Sequence, residues 1–329
     1  MFGLLMFAPF APYVITLIVI GAVLGIVAIW LALCAVIAFR TLKTATKPVA
    51  HTIDEMRKKQ IETEHIDIDL YDKVWNKQSF ELDGRQGKLR GEIIFNPDDS
   101  GERKKVVVIC HGHTVNRINS IKYATVFYKL GFNIVIYDHC YFGESDGKYC
   151  TLGYYERHDL SKVIDFTRQT FGQNCILALH GESMGAVTVL TELGVRSDVD
   201  LVVADCPFSN TLGYYKELFT KLTKLPSFPI VEMTGSIAKM QYGYNYSKCN
   251  PIDDVKTSDV PICFIHGKAD DYILPHHSVD MYNVCRNPLS ELHLVDNARH
   301  ACSFMTDNDA YYLTVQNFVN KVLKANGNT

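Results

Sequence analysis

The stretch Cys175-Ile176-Leu177-Ala178-Leu179-His180-Gly181-Glu182-Ser183-Met184-Gly185-Ala186 constrains the fold more than any other in the chain. Residues 176–179 form an apolar run of strand length. Val187, Val189, Leu190 and Leu193 continue at helical spacing, and Gly-x-Ser-x-Gly stands between. A strand that turns into a helix over so few residues strains its central residue and requires small neighbours, here Gly181, Gly185 and Ala186. Such a turn lifts the Ser183 hydroxyl above the strand end, over a helix N-terminus where negative charge is favoured. The letters alone also describe an ordinary glycine-rich turn. Strand before and helix after make Ser183 a candidate nucleophile.

The same alternation runs through most of the chain. Residues 79–82 and 88–95, separated by Asp83-Gly84, read as an antiparallel hairpin. The continuous apolar run 106–110 reads as a central strand buried on both faces, ending in His111-Gly112-His113-Thr114. A helix is expected over 118–130, a strand over 133–137 and a helix over 156–171. Further strands are expected at 201–204, 262–265 and 292–295, with helices near 275–284 and 309–323. The expected fold is therefore α/β with a mostly parallel sheet and helices on both faces. Residues 206–261 break the rhythm with Pro207, Pro226, Pro229 and Pro251 and many aromatics. They read as a small helical cap over the sheet edge, of the kind that walls a substrate pocket.

Ahead of this domain, residues 13–39 contain no charged side chain, more than the roughly 20 residues needed to cross a bilayer core. Residues 1–45 are accordingly expected to be a transmembrane anchor in contact with membrane lipid, with Pro9 and Pro12 interrupting any helix from the apolar start. A cleaved signal peptide is the rival, but the run is longer than a signal core and no basic residue precedes it. Arg40, Lys43 and Lys47 follow the run, so the positive-inside rule places the bulk in the cytoplasm, single-pass. The polar segment 46–75 reads as a juxtamembrane stalk leading into a domain at 76–329.

At 329 residues, 47% of them hydrophobic, the chain can bury the core of one large domain beside this appendage. A net charge of −3 gives no electrostatic case for nucleic acid. The ten cysteines show no C-x-x-C pair, and Cys110, Cys175 and Cys263 lie in apolar runs, as buried free thiols do. His111, His113, His139 and His180 fall at strand ends without the spacing of a ligand pair on one helix face, so no metal or cofactor is expected.

A serine hydroxyl needs a base within hydrogen-bond reach, held in turn by an acid. The run 262–265 leads into His266-Gly267-Lys268-Ala269-Asp270-Asp271, and 292–295 leads into Asp296-Asn297-Ala298-Arg299-His300. Ser183, an aspartate and His300 then follow in the chain order expected along one sheet edge. On the residues alone, Asp270, its neighbour Asp271 and Asp205 all compete for the acid.

Four patterns in order, His111-Gly112, Asp138 through Gly143-x-Ser145-x-Gly147, Gly181-x-Ser183-x-Gly185, and His266-Gly267-x-x-Asp270 followed by His300, resemble the α/β-hydrolase superfamily over residues 80–325. They are particularly similar to membrane-anchored bacterial serine hydrolases of the prolyl oligopeptidase-like and acyl-esterase branches. The resemblance implies Ser183 as nucleophile, His300 as base and Asp270 as its acid. It also implies an oxyanion hole from the backbone N–H of Met184 and of His113 or Thr114. One loop departs from the pattern: relatives commonly read Asp-x-Arg-Gly where this chain has Asp138-His139-Cys140-Tyr141, so the loop lacks its basic side chain. The expected activity is cleavage of a carboxylic ester or related acyl bond, in a small-molecule acyl ester, through an acyl-enzyme. A serine peptidase acting on short peptides is the alternative, as is a membrane-tethered binding protein on an inactive copy of the fold.

Overall fold

The computed structural model describes residues 12–327. It opens with helix α1 (Pro12–Thr46), long and apolar enough to cross a membrane and largely exposed up to residue 33. Residues 1–11, including Pro9, lie outside the described residues. Helix α2 (Ile53–Glu62) follows, opened by a capping box in which Thr52 and Glu55 satisfy each other's backbone N–H.

Eight strands form one sheet in the order β1-β2-β4-β3-β5-β6-β7-β8. β1 (Asn76–Gly84) and β2 (Gly87–Phe95) make the antiparallel hairpin, and β2 also runs antiparallel to β4 (Asn133–Tyr137). β3 (Lys105–Cys110), β5 (Ile176–Glu182), β6 (Leu201–Asp205), β7 (Ile262–Gly267) and β8 (Glu291–Val295) are all parallel to β4. Side chains alternate across the sheet with the two-residue period of a strand. In β3, Val107 and Ile109 join the core on one face, while Val106, Val108 and Cys110 join the core on the other.

The first face is covered by α3 (Ile121–Lys129) at one end of the chain and α11 (Asn308–Ala325) at the other. The second face is covered by α4 (Glu156–Phe171), α5 (Met184–Glu192), α8 (Pro251–Thr257) and α9 (His276–Val284). A short α10 (Ser303–Thr306) follows the loop that carries His300. The expected cap at 206–261 holds two antiparallel helices, α6 (Thr211–Thr223) and α7 (Ile230–Tyr242). Its last part is not cap: Val255 of α8 packs in the main core.

The segment expected to be a juxtamembrane stalk is bound to the body. Met56, Ile68, Tyr71 and Trp75 are buried in the core beside α3. Trp75 stacks on Tyr128 at 4.7 Å. Apolar residues in a mainly charged segment had one face to bury, and the surface of α3 supplies it. The end of α1 is also packed: Cys34, Ala38 and Leu42, one helical face at four-residue spacing, are buried against the cap. All ten cysteines are free, eight of them buried.

Candidate active site

Ser183 has φ 55° and ψ −114°, between the last residue of β5 and the first of α5. The neighbouring glycines are sterically required. A Cβ on Gly185 would lie 2.0 Å from the carbonyl oxygen of Cys110, and one on Gly181 would lie 2.3 Å from the Gly185 backbone. The turn is therefore locked between β5 and the end of β3.

Ser183 Oγ lies 3.0 Å from His300 Nε2, and His300 Nδ1 lies 2.7 Å from Asp270 Oδ2. Asp270 also accepts the backbone N–H groups of Tyr272 and Ile273 at 2.9 Å each through Oδ1. Burial pushes its carboxyl up, but hydrogen bonds from His266 and His300 and from the Ile273 N–H outweigh burial and hold it well below the usual carboxylate range. An ionised carboxylate only accepts, so His300 donates from Nδ1 and its Nε2 is left to accept from the Ser183 hydroxyl.

The other two aspartates are engaged elsewhere. Asp271 is exposed and pairs with Lys221 at 2.9 Å. Asp205 is buried with its carboxylate turned toward Ser303 at 3.3 Å and Tyr123 at 3.5 Å. Burial first, and then the nearby Glu182 charge, push its carboxyl up to about 6.

Met184 opens α5, so its backbone N–H is among those with no intrahelical acceptor. The loop after β3 sits over the serine: a Cβ on Gly112 would fall 3.7 Å from that of Ser183. This loop is held by its histidines. His111 donates from Nδ1 to the Gly112 carbonyl at 2.7 Å and accepts the His139 N–H on Nε2 at 3.0 Å. His113 donates from Nε2 to the carbonyl of Ala45, in the last turn of α1, at 3.0 Å. Burial pulls both imidazoles down to about 4, so both are neutral at physiological pH. His180 shares a hydrogen bond with Tyr311 at 3.0 Å. Cys206, Asp270 and His300 have ligand-type atoms within 4.8 Å of one another, but the aspartate and histidine are already committed to each other.

Several site residues gave no sequence signal. The basic group missing from the loop after β4 comes from Arg117, whose N–H donates to Asp138 at 2.7 Å and whose guanidinium binds Asp138 and, at 2.6 Å, Glu144. Glu182, beside the serine, is buried and bound by Lys122 at 2.9 Å and Tyr123 at 2.6 Å. Tyr272 packs on the His300 ring with centroids 4.9 Å apart.

A mostly parallel eight-stranded sheet of this order, with a serine on the turn after β5 and an aspartate and histidine after β7 and β8, is an α/β hydrolase. The chain belongs to the prolyl oligopeptidase family, whose model matches residues 145–326. It is similar to the uncharacterized protein YqkD of Bacillus subtilis strain 168, at 32% identity over 313 residues, 93% of this chain and 97% of that protein. The uncharacterized protein YfhR of Escherichia coli K12 is 25% identical over 235 residues, 70% of this chain and 75% of its own. Among solved structures, an esterase of Pyrococcus furiosus superposes with a TM-score of 0.62 at 22% identity, covering 77% of this chain and 95% of that one. An acylaminoacyl peptidase gives 0.58 at 17% identity, over 76% of this chain and 42% of its own.

Proposed function

We propose that this protein is a membrane-held serine hydrolase that cleaves carboxylic esters or related acyl bonds. The observation that carries the reading is the continuous relay from Ser183 Oγ through His300 to Asp270, at 3.0 and 2.7 Å. Ser183 Oγ forms a bond to the acyl carbon while its proton passes to His300 Nε2. The oxyanion sits against the N–H groups of Met184 and His113, each typically worth about 3 kcal/mol in such a site. The tetrahedral intermediate collapses by breaking the carbon–oxygen bond to the alcohol, which takes the proton from His300. Water, deprotonated by the same nitrogen, then attacks the acyl-enzyme and releases the acid, returning the proton to Ser183.

An ester is favoured over a peptide by the cavity beside the site. It has a volume of about 490 Å³, and Arg40 is the one charged side chain among its described lining residues. It offers no carboxylate to hold a peptide amino terminus. The packing of Cys34, Ala38 and Leu42 and the Ala45–His113 hydrogen bond favour a retained helix over a cleaved signal. Arg40, Lys43 and Lys47 at its end favour a cytoplasmic domain.

Fluorophosphonate labelling of the purified protein, with hydrolysis of a short p-nitrophenyl ester, tests this. Label on Ser183 and loss of both signals in folded Ser183→Ala are expected. Label on a different serine in that variant overturns the assignment, and turnover of short peptides with none of esters overturns the substrate class.

A further inference from the structure

The cavity beside Ser183 has an unusual wall. Ile37, Arg40, Thr41, Thr44 and Ala45 line it, spaced as one face of α1. The Thr44 hydroxyl is turned back onto the Arg40 carbonyl at 3.1 Å. Opposite stands α6, contributing Tyr214, Leu218, Phe219 and Leu222. At the inner end lie His113, from the loop over the serine, and Tyr272, packed on His300. The helix long enough to span a bilayer is therefore also a wall of the cavity next to the reacting groups.

The direction of the cavity follows from how the helices run. Thr234, early in α7, hydrogen-bonds the Ala38 carbonyl at 3.4 Å. Gln241 and Tyr242, at the end of α7, share a crevice with Lys43 and Lys47. α7 thus runs parallel to α1, and the α6–α7 connection lies level with the apolar part of α1 near Cys34. That connection and the end of α6 expose large apolar side chains: Leu222, Leu225 and Phe228 are 69%, 49% and 71% accessible. Three such residues beside an apolar helix, at one tip, form a surface suited to a bilayer interface. From Ile37 at that end to Ala45 at the inner end, eight residues of helix span about 12 Å.

Resting on the hydrolase reading above, we propose that this cavity is an acyl-chain channel open to the bilayer. Its occupant is the acyl chain of a membrane-resident ester, which enters between α1 and α6 and places its carbonyl at Ser183. The cavity is within the 300–1,000 Å³ range of ligand sites, and its walls match a hydrocarbon chain rather than a polar substrate.

The test uses full-length protein in phosphatidylcholine vesicles, with p-nitrophenyl palmitate in the bilayer and p-nitrophenyl acetate in the water. Thr41→Trp fills the channel from α1, and Leu218→Trp fills it from α6. In each, the palmitate-to-acetate ratio of kcat/KM should fall at least tenfold; an unchanged ratio in both overturns the channel. Phe228→Asp should lower palmitate turnover in vesicles but not in detergent micelles, and equal turnover in vesicles overturns entry from the bilayer. A measurement on the unaltered protein avoids any folding defect. A long-chain alkyl fluorophosphonate with a photoreactive diazirine in its chain, bound to Ser183, should cross-link residues 37–45 or 214–222. Cross-links confined to other segments overturn the channel while the label itself leaves the hydrolase reading standing. Failure of Ser183 to take the label, with no ester turnover, removes both.

Discussion

The His113 imidazole donates to the Ala45 carbonyl at 3.0 Å, joining the loop over the serine to the last turn of α1. A second bond reinforces this join, the His51 N–H donating to the Thr114 carbonyl at 2.8 Å, and the Cys150 N–H ties the segment after β4 to the Thr46 carbonyl at 2.8 Å. The His113 N–H is a candidate oxyanion donor, and its loop is tied to the end of α1.

Removing residues 1–45 is therefore expected to lower kcat on a soluble short-chain ester, with the remaining domain folded. His113→Ala keeps the backbone N–H and deletes the tie, worth about 1 kcal/mol, so kcat should fall about fivefold. Steady-state kinetics on both proteins, with circular dichroism for the fold, check this. Full kcat in the truncated protein would show that α1 does not set the loop.

Replacing Asp270 by Asn should lower kcat by up to about 10⁴ with little change in KM, because the amide no longer fixes the His300 tautomer. Asp271→Asn removes only an exposed pair with Lys221, and Asp205→Asn alters a carboxylate aimed at Ser303 and Tyr123. Both should lose far less activity. Parallel kinetics on the three variants decide the matter; a crippled Asp271 or Asp205 variant would displace Asp270 as the acid.

Glu182 gives a pH signature. Burial pushes its carboxyl up, but Lys122 and Tyr123 more than offset this and hold it at about 2, below its ordinary 4.5. Its contribution to stability is thus fully present above about pH 4.5 and is lost as pH falls toward 2. In Lys122→Met the burial remains and the main offset is gone, so its pKa moves above the ordinary value. The variant should be destabilised by about 3–5 kcal/mol at pH 7, and this deficit should shrink as pH falls to about 5. Thermal melts of wild type and variant in detergent at the two pH values measure it. A deficit that does not change with pH would mean Glu182 is not left charged and unpaired.

What was legible in the sequence was local. The strands announce themselves as apolar runs, and the turns that end them carry glycine, histidine or aspartate. That was enough to order Ser183, Asp270 and His300 along one edge. The illegible parts pair residues far apart in the chain. Arg117 reaches Asp138 from a different loop, so the missing basic residue after β4 looked like a defect when it was a relocation. Residues 46–75 read as a stalk because their apolar positions are sparse. Only the surface of α3 shows that Met56, Tyr71 and Trp75 are core. The hairpin turn also shifted: Asp83 pairs with Lys88, which moves the bend to Arg85-Gln86.

The wedge of Gly185 against the Cys110 carbonyl has a bearing on control of the enzyme. With α5 beginning at the residue after Ser183 and no room for a Cβ on either glycine, the backbone that carries Ser183 is held in place. Shifting the Ser183 backbone is therefore an obstructed route to an off state. Less obstructed routes are movement of the loop that carries His300, which bends through positive φ at Asn297 and Ala301, and closure of access between α1 and α6.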